Sequence, residues 1–317
     1  MTRERLKIIF MGTPDFAVAT LKTLVENDYD IVGVITAPDK PAGRGRKLHE
    51  SAVKKYAIEQ GLNLLQPTNL KNEDFIKELK SLEANLQIVV AFRMLPEVVW
   101  NMPAYGTFNL HASLLPNYRG AAPIHWAIIN GEKVTGATTF FIDEKIDTGA
   151  IILQEAIAVD ENETVGSLHD KLMVMGSELV IKTVDLIQKG AVETTIQPKT
   201  ENLKTAYKLN KENCKIDWNL DIDTIYNKIR GLNPFPAAWC HLYNNNDELD
   251  VKIFNVEKEN DEHDLDNGQL IVSKNELKVA VRGGYINIKE LQLPGKRKMD
   301  AKSLLNGYDF SKNAKML

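Results

Sequence analysis

The chain is poor in cysteine and has no long apolar segment. Its 317 residues include two cysteines, Cys214 and Cys240, which offer neither a disulfide framework nor the spacing of a zinc site. No apolar run approaches the roughly 20 residues needed to cross a bilayer. The first residues lead straight into a strand-like segment, without the apolar core of a signal peptide. We therefore expect a cytoplasmic protein with no membrane association, and nothing in the sequence indicates a bound metal.

The chain also lacks an excess of positive charge. It has 39 Lys and Arg against 43 Asp and Glu, and the net charge of -4 disfavours a general nucleic-acid binder. Positive charge is concentrated between Asp39 and Lys55, where six basic residues meet two acidic ones. Residues 201–317 hold 18 basic and 18 acidic side chains and are neutral overall. A nucleic-acid partner would therefore need a local patch.

A dinucleotide-binding fingerprint is absent as well. Gly12-Thr-Pro-Asp15 follows a strand-like segment, but the Gly-x-Gly-x-x-Gly spacing is missing and Pro14 stands in the turn. These residues predict a tight turn at the top of a sheet instead.

The N-terminal part alternates strand and helix patterns. Buried strands are predicted at 6–10, 31–36, 86–92, 107–110, 137–142 and 151–157, and helices at 16–24, 51–60, 75–82 and 164–189. Thr164 is the predicted N-cap of the last helix, and Gly190 ends it. This alternation predicts an α/β fold: a mainly parallel Rossmann-like sheet with helices on both faces.

The length allows two domains, each with its own core. A polar stretch divides the chain, and we predict an N-terminal domain at 1–192, a linker at 193–206 and a C-terminal domain at 207–317. The C-terminal part has short strand patterns and one helix pattern, which predict a small β-barrel. The strands are expected at 251–256, 269–273, 277–281 and 286–291, and the helix at 221–230.

Three polar residues form the candidate active site. Asn109 and His111 are two positions apart on a predicted strand, so both side chains face the same side. Asp147, after a further strand, can add a carboxylate there. An amide, an imidazole and a carboxylate suit acyl transfer to an amine, because they can stabilise an oxyanion, transfer a proton and set protonation states. An isolated Asn-x-His pair is more often structural, and Asp147 could either orient His111 or accept the proton of the amine.

Several segments carry a family resemblance: Asn109–Pro116, Ile146–Gly149, Phe10–Ala17, Pro38–Leu48 and Leu232–Trp239. They resemble the formyltransferases that take a one-carbon unit from 10-formyltetrahydrofolate, over most of the chain. The resemblance implies 10-formyltetrahydrofolate as co-substrate, no metal, and Asn109, His111 and Asp147 as catalytic residues. It also implies an OB-like fold for the C-terminal barrel.

The same resemblance assigns folate binding to Ser113, Leu114, Leu115 and Pro116. Leu-Leu-Pro is also a common exit from a strand, which is the competing interpretation. The segment 86–94 is expected to line the pterin side. Arg93 departs from the family pattern, which commonly has Gly here, so we assign it no folate role and expect it to point outward or to brace a loop.

The loop Ala42–Lys47 indicates the second substrate. Its glycines give reach and its arginines can bind phosphates, although a solvated loop is the usual interpretation of such a charged run. It resembles the loop of the family members that formylate methionyl initiator tRNA, which implies tRNA contacts by Arg44, Arg46 and Lys47. Arg44 matches the key loop arginine.

The resemblance therefore implies an enzyme that formylates the α-amino group of methionyl initiator tRNA, and a monomer is the simplest expectation. The alternative within the same class is formylation of a small amine such as an amino-sugar nucleotide, whose enzymes share the three polar residues. A catalytically silent tRNA-binding module is the alternative from another class, and the presence of Asn109, His111 and Asp147 disfavours it.

Overall fold

A computed structural model of the chain describes residues 5–42, 47–198 and 201–317. Within these residues, no helix is both long and apolar enough to cross a membrane. The chain forms two compact units: the first contains Met1–Gly120, Thr135–Ile157 and His169–Thr205, and the second contains Ala121–Val134, Ala158–Leu168 and Ala206–Leu317. The domain limits predicted at 192 and 207 stay a prediction.

The first unit is built on a seven-stranded sheet in the order β10-β9-β7-β6-β1-β2-β5. The strands up to residue 206 are β1 Lys7–Gly12, β2 Asp30–Ile35, β3 Lys40–Ala42, β4 Lys47–His49, β5 Leu64–Leu65, β6 Leu86–Val90, β7 Thr107–His111, β8 Arg119–Gly120, β9 Val134–Phe141, β10 Ile151–Ala158 and β11 Thr205–Ala206. The central pairs β7-β6, β6-β1, β1-β2 and β2-β5 are parallel, whereas β9 runs antiparallel to β7. The mainly parallel sheet is confirmed.

Helices cover both faces of this sheet. The helices up to residue 189 are α1 Asp15–Glu26, α2 Ala52–Glu59, α3 Glu73–Ser81, α4 Glu97–Trp100, α5 Pro123–Ile129 and α6 Val165–Lys189, of which α5 belongs to the second unit. On one face, α3 and α4 pack Phe75, Leu79 and Val99 against Ile9 and Met11 of β1. Every residue of β6 is buried, as expected for a strand covered on both sides.

Helices α1 and α6 cover the opposite face. Leu110 of β7 lies against Gly176 of α6, and the hydroxyls of Thr139 on β9 and Thr183 on α6 are 2.8 Å apart. The predicted N-cap of α6 is confirmed, because the Thr164 hydroxyl accepts a hydrogen bond from the backbone N–H of Ser167.

The second unit contains an antiparallel barrel. Its elements from residue 222 on are α7 Ile222–Arg230, β12 Ala238–Asn244, β13 Asp247–Asn260, β14 Leu270–Val272, β15 Leu277–Val281, β16 Gly284–Gln292, β17 Met299–Asp300, α8 Ala301–Leu305 and β18 Lys315–Met316. The strand order is β14-β15-β16-β13-β12-β18, and an antiparallel bridge between Gln269 and Lys315 brings its two ends together. The nearly closed barrel confirms the OB-like prediction. Helix α7 buries Ile222, Ile225 and Ile229 in the barrel core.

Candidate active site

Strand β7 carries the first two site residues to the carboxyl end of the parallel strands. Asn109 pairs with Val89 of β6 and Phe140 of β9, and His111 pairs with Thr138 of β9. Asn109 is half-buried and His111 is buried. Because the side chains of a strand alternate, Asn109 and His111 face the same side of the sheet, as predicted.

His111 is held through one ring nitrogen. Its Nε2 lies 2.8 Å from the backbone oxygen of Tyr118. A carbonyl oxygen can only accept, so Nε2 carries the proton and donates it. In the neutral imidazole, Nδ1 is then the unprotonated nitrogen. This nitrogen lies 3.7 Å from Oδ2 of Asp147. The geometry therefore leaves Nδ1, which faces the Asp147 carboxylate, as the nitrogen that can take up a proton.

Asp147 is positioned by its backbone and by a hydrogen bond. It has a φ of 56°, in the left-handed region that few residues other than glycine adopt. Its Oδ2 accepts a hydrogen bond of 2.9 Å from the backbone N–H of Gly120. The side chain is 14% exposed, so the carboxylate is largely shielded from water but still reachable. The structure thus brings together His111 and Asp147, which are far apart in the sequence.

Asn109 differs from these two residues in having no fixed partner. Its side-chain amide makes no hydrogen bond to any of the residues that the structure describes. An unpaired, half-buried amide on the His111 side of the strand is available as a donor to a bound ligand.

The segment Ser113–Pro116 forms a buried turn directly after β7. Ser113 is fully buried, and its hydroxyl donates to the backbone oxygen of Asn117 over 2.7 Å. Leu115 is also buried, whereas Leu114 and Pro116 are partly exposed. The Ser113 hydroxyl therefore maintains the turn, and the accessible side chains of the segment are those of Leu114 and Pro116.

A second polar side chain fixes this turn from β10. The Gln154 amide donates to the backbone oxygen of Leu115 and to the Thr138 hydroxyl, each over 2.9 Å. The Thr138 hydroxyl in turn donates to the backbone oxygen of Ser113 over 2.6 Å. The turn is thus tied to both β9 and β10.

Arg93 braces a neighbouring loop, one of the two outcomes expected from the sequence. Its guanidinium donates to the backbone oxygens of Pro67 and Thr68. It also borders a cleft of about 370 Å³ at the carboxyl ends of β1, β2 and β6. The cleft is lined by Thr13, Ala37, Pro38, Lys40, Thr68, Phe92 and Arg93. Its place at the end of the sheet is where ligands bind in folds of this class.

The predicted tRNA-contacting residues fall largely beyond the described ranges. Arg44 and Arg46 lie outside the described residues, and Lys47 is the first residue of β4. Strands β3 and β4, on either side of 43–46, pair antiparallel with Lys40 opposite His49. The carboxylate of Asp39, just before β3, pairs with Lys54 of α2. The assignment of these basic residues to tRNA stays a prediction.

Two family models match most of the chain. Residues 5–184 match the formyl transferase domain, and residues 208–309 match the formyl transferase C-terminal domain. The chain belongs to the formyl transferase family. The family resemblance found in the sequence motifs is therefore confirmed.

Curated relatives within the family are similar over their full length. A methionyl-tRNA formyltransferase of Flavobacterium johnsoniae is 61% identical over 313 residues, which cover 99% of this chain and 99% of the relative. A methionyl-tRNA formyltransferase of Bacteroides fragilis is 53% identical over 321 residues, which cover 100% of this chain and 99% of the relative.

Solved structures of more distant proteins share the fold. A sugar 3N-formyl transferase, WlaRD, solved in the presence of dTDP and 5-N-formyl-THF, has a TM-score of 0.64 at 20% identity, covering 93% of this chain and 100% of that one. HypX from Aquifex aeolicus, solved with tetrahydrofolic acid, has a TM-score of 0.64 at 18% identity, covering 95% of this chain and 47% of that one. At these identities the likeness shows the fold alone.

Three residues that bond to His111 or to the Asp147 loop in this formyl transferase are not predicted from the sequence as site residues. Tyr118 and Gly120 act through backbone groups, which have no side-chain signature in the sequence. Gly120 has a φ of 121°, a conformation that favours glycine. Gln197 lies in the polar stretch predicted as the linker, yet it is only 5% exposed and bonds to the backbone of the Asp147 loop. Among the described residues, no group of three or more His, Cys, Asp and Glu side chains is arranged to hold a metal ion.

Proposed function

We propose that this chain transfers the formyl group of 10-formyltetrahydrofolate to the α-amino group of methionyl initiator tRNA. Support comes from full-length relatives at 61% and 53% identity that are described as methionyl-tRNA formyltransferases. The observation that carries the chemistry is the approach of His111 Nδ1 to the Asp147 carboxylate beside the unpaired amide of Asn109.

The proposed reaction begins when the neutral amine of methionine attacks the formyl carbon. A carbon–nitrogen bond forms and the carbonyl oxygen becomes an oxyanion, to which the Asn109 amide donates a hydrogen bond. His111 accepts the proton of the amine at Nδ1, and Asp147 stabilises the charged ring. The bond from the formyl carbon to the folate nitrogen then breaks, and that nitrogen takes up the proton held by His111, which returns the ring to its neutral form. The products are formylmethionyl-tRNA and tetrahydrofolate, so atoms and charge balance.

The Ser113–Pro116 segment forms the folate side of the proposed site. Leu114 and Pro116 are partly exposed and offer apolar surface for a flat ring. Ser113 and Leu115 would act by fixing the turn, since both are buried.

The tRNA would be bound by the basic loop and the C-terminal domain. Arg44, Arg46 and Lys47 supply positive charge for phosphates in a chain whose net charge is -4. Residues 1–192 would form the catalytic domain and residues 193–206 the linker. Residues 207–317 would form the domain that positions the tRNA. We further propose that the enzyme acts as a monomer in the cytoplasm, where aminoacylated tRNA is used.

The proposal is tested by supplying the purified protein with 10-formyltetrahydrofolate and one of three amine substrates. These are methionyl initiator tRNA, methionyl elongator tRNA and an amino-sugar nucleotide. We expect rapid formylation of the initiator form, much slower formylation of the elongator form and none of the sugar. A preference for the sugar nucleotide would replace this proposal with the alternative formyl acceptor.

A further inference from the structure

Gln197 is buried although it lies in a polar stretch without regular secondary structure. It is 5% exposed, whereas its neighbour Ile196 is 85% exposed. Two residues before Gln197, Thr195 forms an antiparallel bridge with Ile151, in which each backbone N–H donates to the other residue's carbonyl, over 2.8 and 2.9 Å. Ile151 begins β10, directly after the loop that carries Asp147. The backbone therefore fixes the Gln197 side chain beside that loop.

Both the nitrogen and the oxygen of the Gln197 side-chain amide make hydrogen bonds. Its Nε2 donates to the backbone oxygens of Asp147, over 3.0 Å, and Gly149, over 2.8 Å. Its Oε1 accepts from Nε and Nη2 of Arg119, over 3.1 and 2.6 Å. Two carbonyls on one side and a cation on the other fix the orientation of the amide. Only a neutral amide of this length satisfies both sets of partners.

These contacts close a ring of hydrogen bonds around Asp147. Gly120, which follows Arg119, donates its backbone N–H to the Asp147 carboxylate. Arg119 bonds to Gln197, and Gln197 bonds back to the Asp147 carbonyl. Both the side chain and the backbone of Asp147 are thus tied to the same two-residue strand. Since Asp147 has a φ of 56°, its conformation depends on such surrounding contacts.

We propose that Gln197 is a positioning residue for catalysis, which sets the distance between the Asp147 carboxylate and His111. This inference rests on the proposed function, because it assigns Gln197 to the same reaction. It also means that the stretch between the two predicted domains contributes directly to the catalytic centre.

The test is single-turnover formyl transfer to methionyl initiator tRNA by Gln197→Glu and Gln197→Met. Glutamate can still pair with Arg119, but it places a carboxylate oxygen against the carbonyl oxygens of Asp147 and Gly149. Methionine has a similar length but has no N–H group to donate to these carbonyls. We expect the rate of the chemical step to fall roughly 10- to 100-fold, because small displacements of a catalytic group cost about this much. KM for both substrates should change little, and the pH profile of the rate should shift. Gln188→Glu, at an exposed position of α6, is the matched control and should behave as wild type.

A double-mutant cycle separates positioning from a general loss of stability. In an Asp147→Asn background, each Gln197 substitution should cause no further loss of rate, because the two residues act as one unit. Thermal unfolding of each variant establishes the folded fraction. If the buried charge of glutamate prevents folding, the cycle is measured with Gln197→Met alone. Equal losses in both backgrounds, or wild-type rates and pH profiles in both variants, would overturn the proposal. Absence of formyl transfer by the wild-type protein would instead reject the proposed function.

Discussion

Nδ1 of His111 and Oδ2 of Asp147 lie 3.7 Å apart, while the opposite ring nitrogen of His111 is bound to the backbone oxygen of Tyr118. The carboxylate therefore does not select the tautomer of the neutral ring, because the Tyr118 carbonyl has already done so. Once Nδ1 has accepted a proton, the charged ring and the carboxylate form an ion pair. Of the two roles that the sequence leaves open for Asp147, this geometry favours support of His111.

Gly149 should be intolerant of any side chain. A Cβ at this position would lie 1.6 Å from the backbone oxygen of Phe141, so the strands on either side of the Asp147 loop would have to move. We expect Gly149→Ala to lower the free energy of unfolding by about 1–3 kcal/mol, measured by urea denaturation, and to reduce formyl transfer. Gly307→Ala is the control, since no atom lies within 4 Å of the place that its added methyl group would occupy. Equal stability of the two variants would contradict the close contact.

The ion pair beside the basic loop should make stability depend on pH at the acid end. A hydrogen bond from Lys54, followed by one from Gln66, lowers the pKa of the Asp39 carboxyl below its ordinary 3.8. The folded chain therefore holds this proton less tightly than the unfolded chain. The stabilisation is complete above the unfolded pKa and is lost as the pH falls through the folded pKa.

This dependence is measured as the difference in free energy of unfolding between wild type and Asp39→Asn. We expect that difference to shrink as the pH is lowered from neutrality past 3.8. Glu193→Gln, at an exposed position, controls for the general effect of removing a carboxylate. A difference that stays constant with pH would show that Asp39 contributes nothing through its charge.

Both cysteines should be inert in the folded protein. Burial raises the pKa of the Cys240 thiol to about 12 and also raises the pKa of the Cys214 thiol. Because the thiolate is the reactive form, iodoacetamide should label neither residue near neutral pH and both after unfolding in urea. Mass spectrometry of the protein gives the number of labelled thiols. Labelling of one thiol without unfolding would show that its side chain is more accessible than the structure indicates.

Replacing Arg44 should affect one substrate and not the other. If its guanidinium binds tRNA phosphate, Arg44→Ala should raise KM for methionyl initiator tRNA by about tenfold or more, because one charge-assisted bond to phosphate is lost. KM for 10-formyltetrahydrofolate should stay unchanged. The effect should also weaken as salt is increased. Equal changes in both KM values would argue against a tRNA role for this residue.

The elements that can be predicted from the sequence are those with a strong apolar pattern. Strand β6 is buried throughout, and α6 runs for 25 residues with a regular apolar face, so both are predicted. Strand β12 is not, because the aromatic residues Trp239 and Tyr243 stand at its half-buried positions and hide the alternation. Helix α5 is not predicted either, since its seven residues are nearly all apolar and show no periodicity.

The residues of the candidate site also differ in how clearly the sequence indicates them. Asn109, His111 and Asp147 stand out in the sequence because the chemistry proposed for them depends on residue type. Gln197 cannot, since its partners include the backbone oxygens of Asp147 and Gly149, which leave no mark on a sequence pattern. The residues just before it are largely exposed, so only the folded chain shows that this amide is buried.

The most direct test of the account is formyl transfer to methionyl initiator tRNA by His111→Ala. Removing the proton acceptor should lower kcat by about 10²- to 10⁴-fold. Thermal unfolding establishes that the variant, which loses a buried and hydrogen-bonded side chain, is folded under the assay conditions. His169→Ala, a partly exposed histidine on α6, should retain full activity. A near-normal rate in His111→Ala would contradict the central claim that His111 and Asp147 carry the proton transfer.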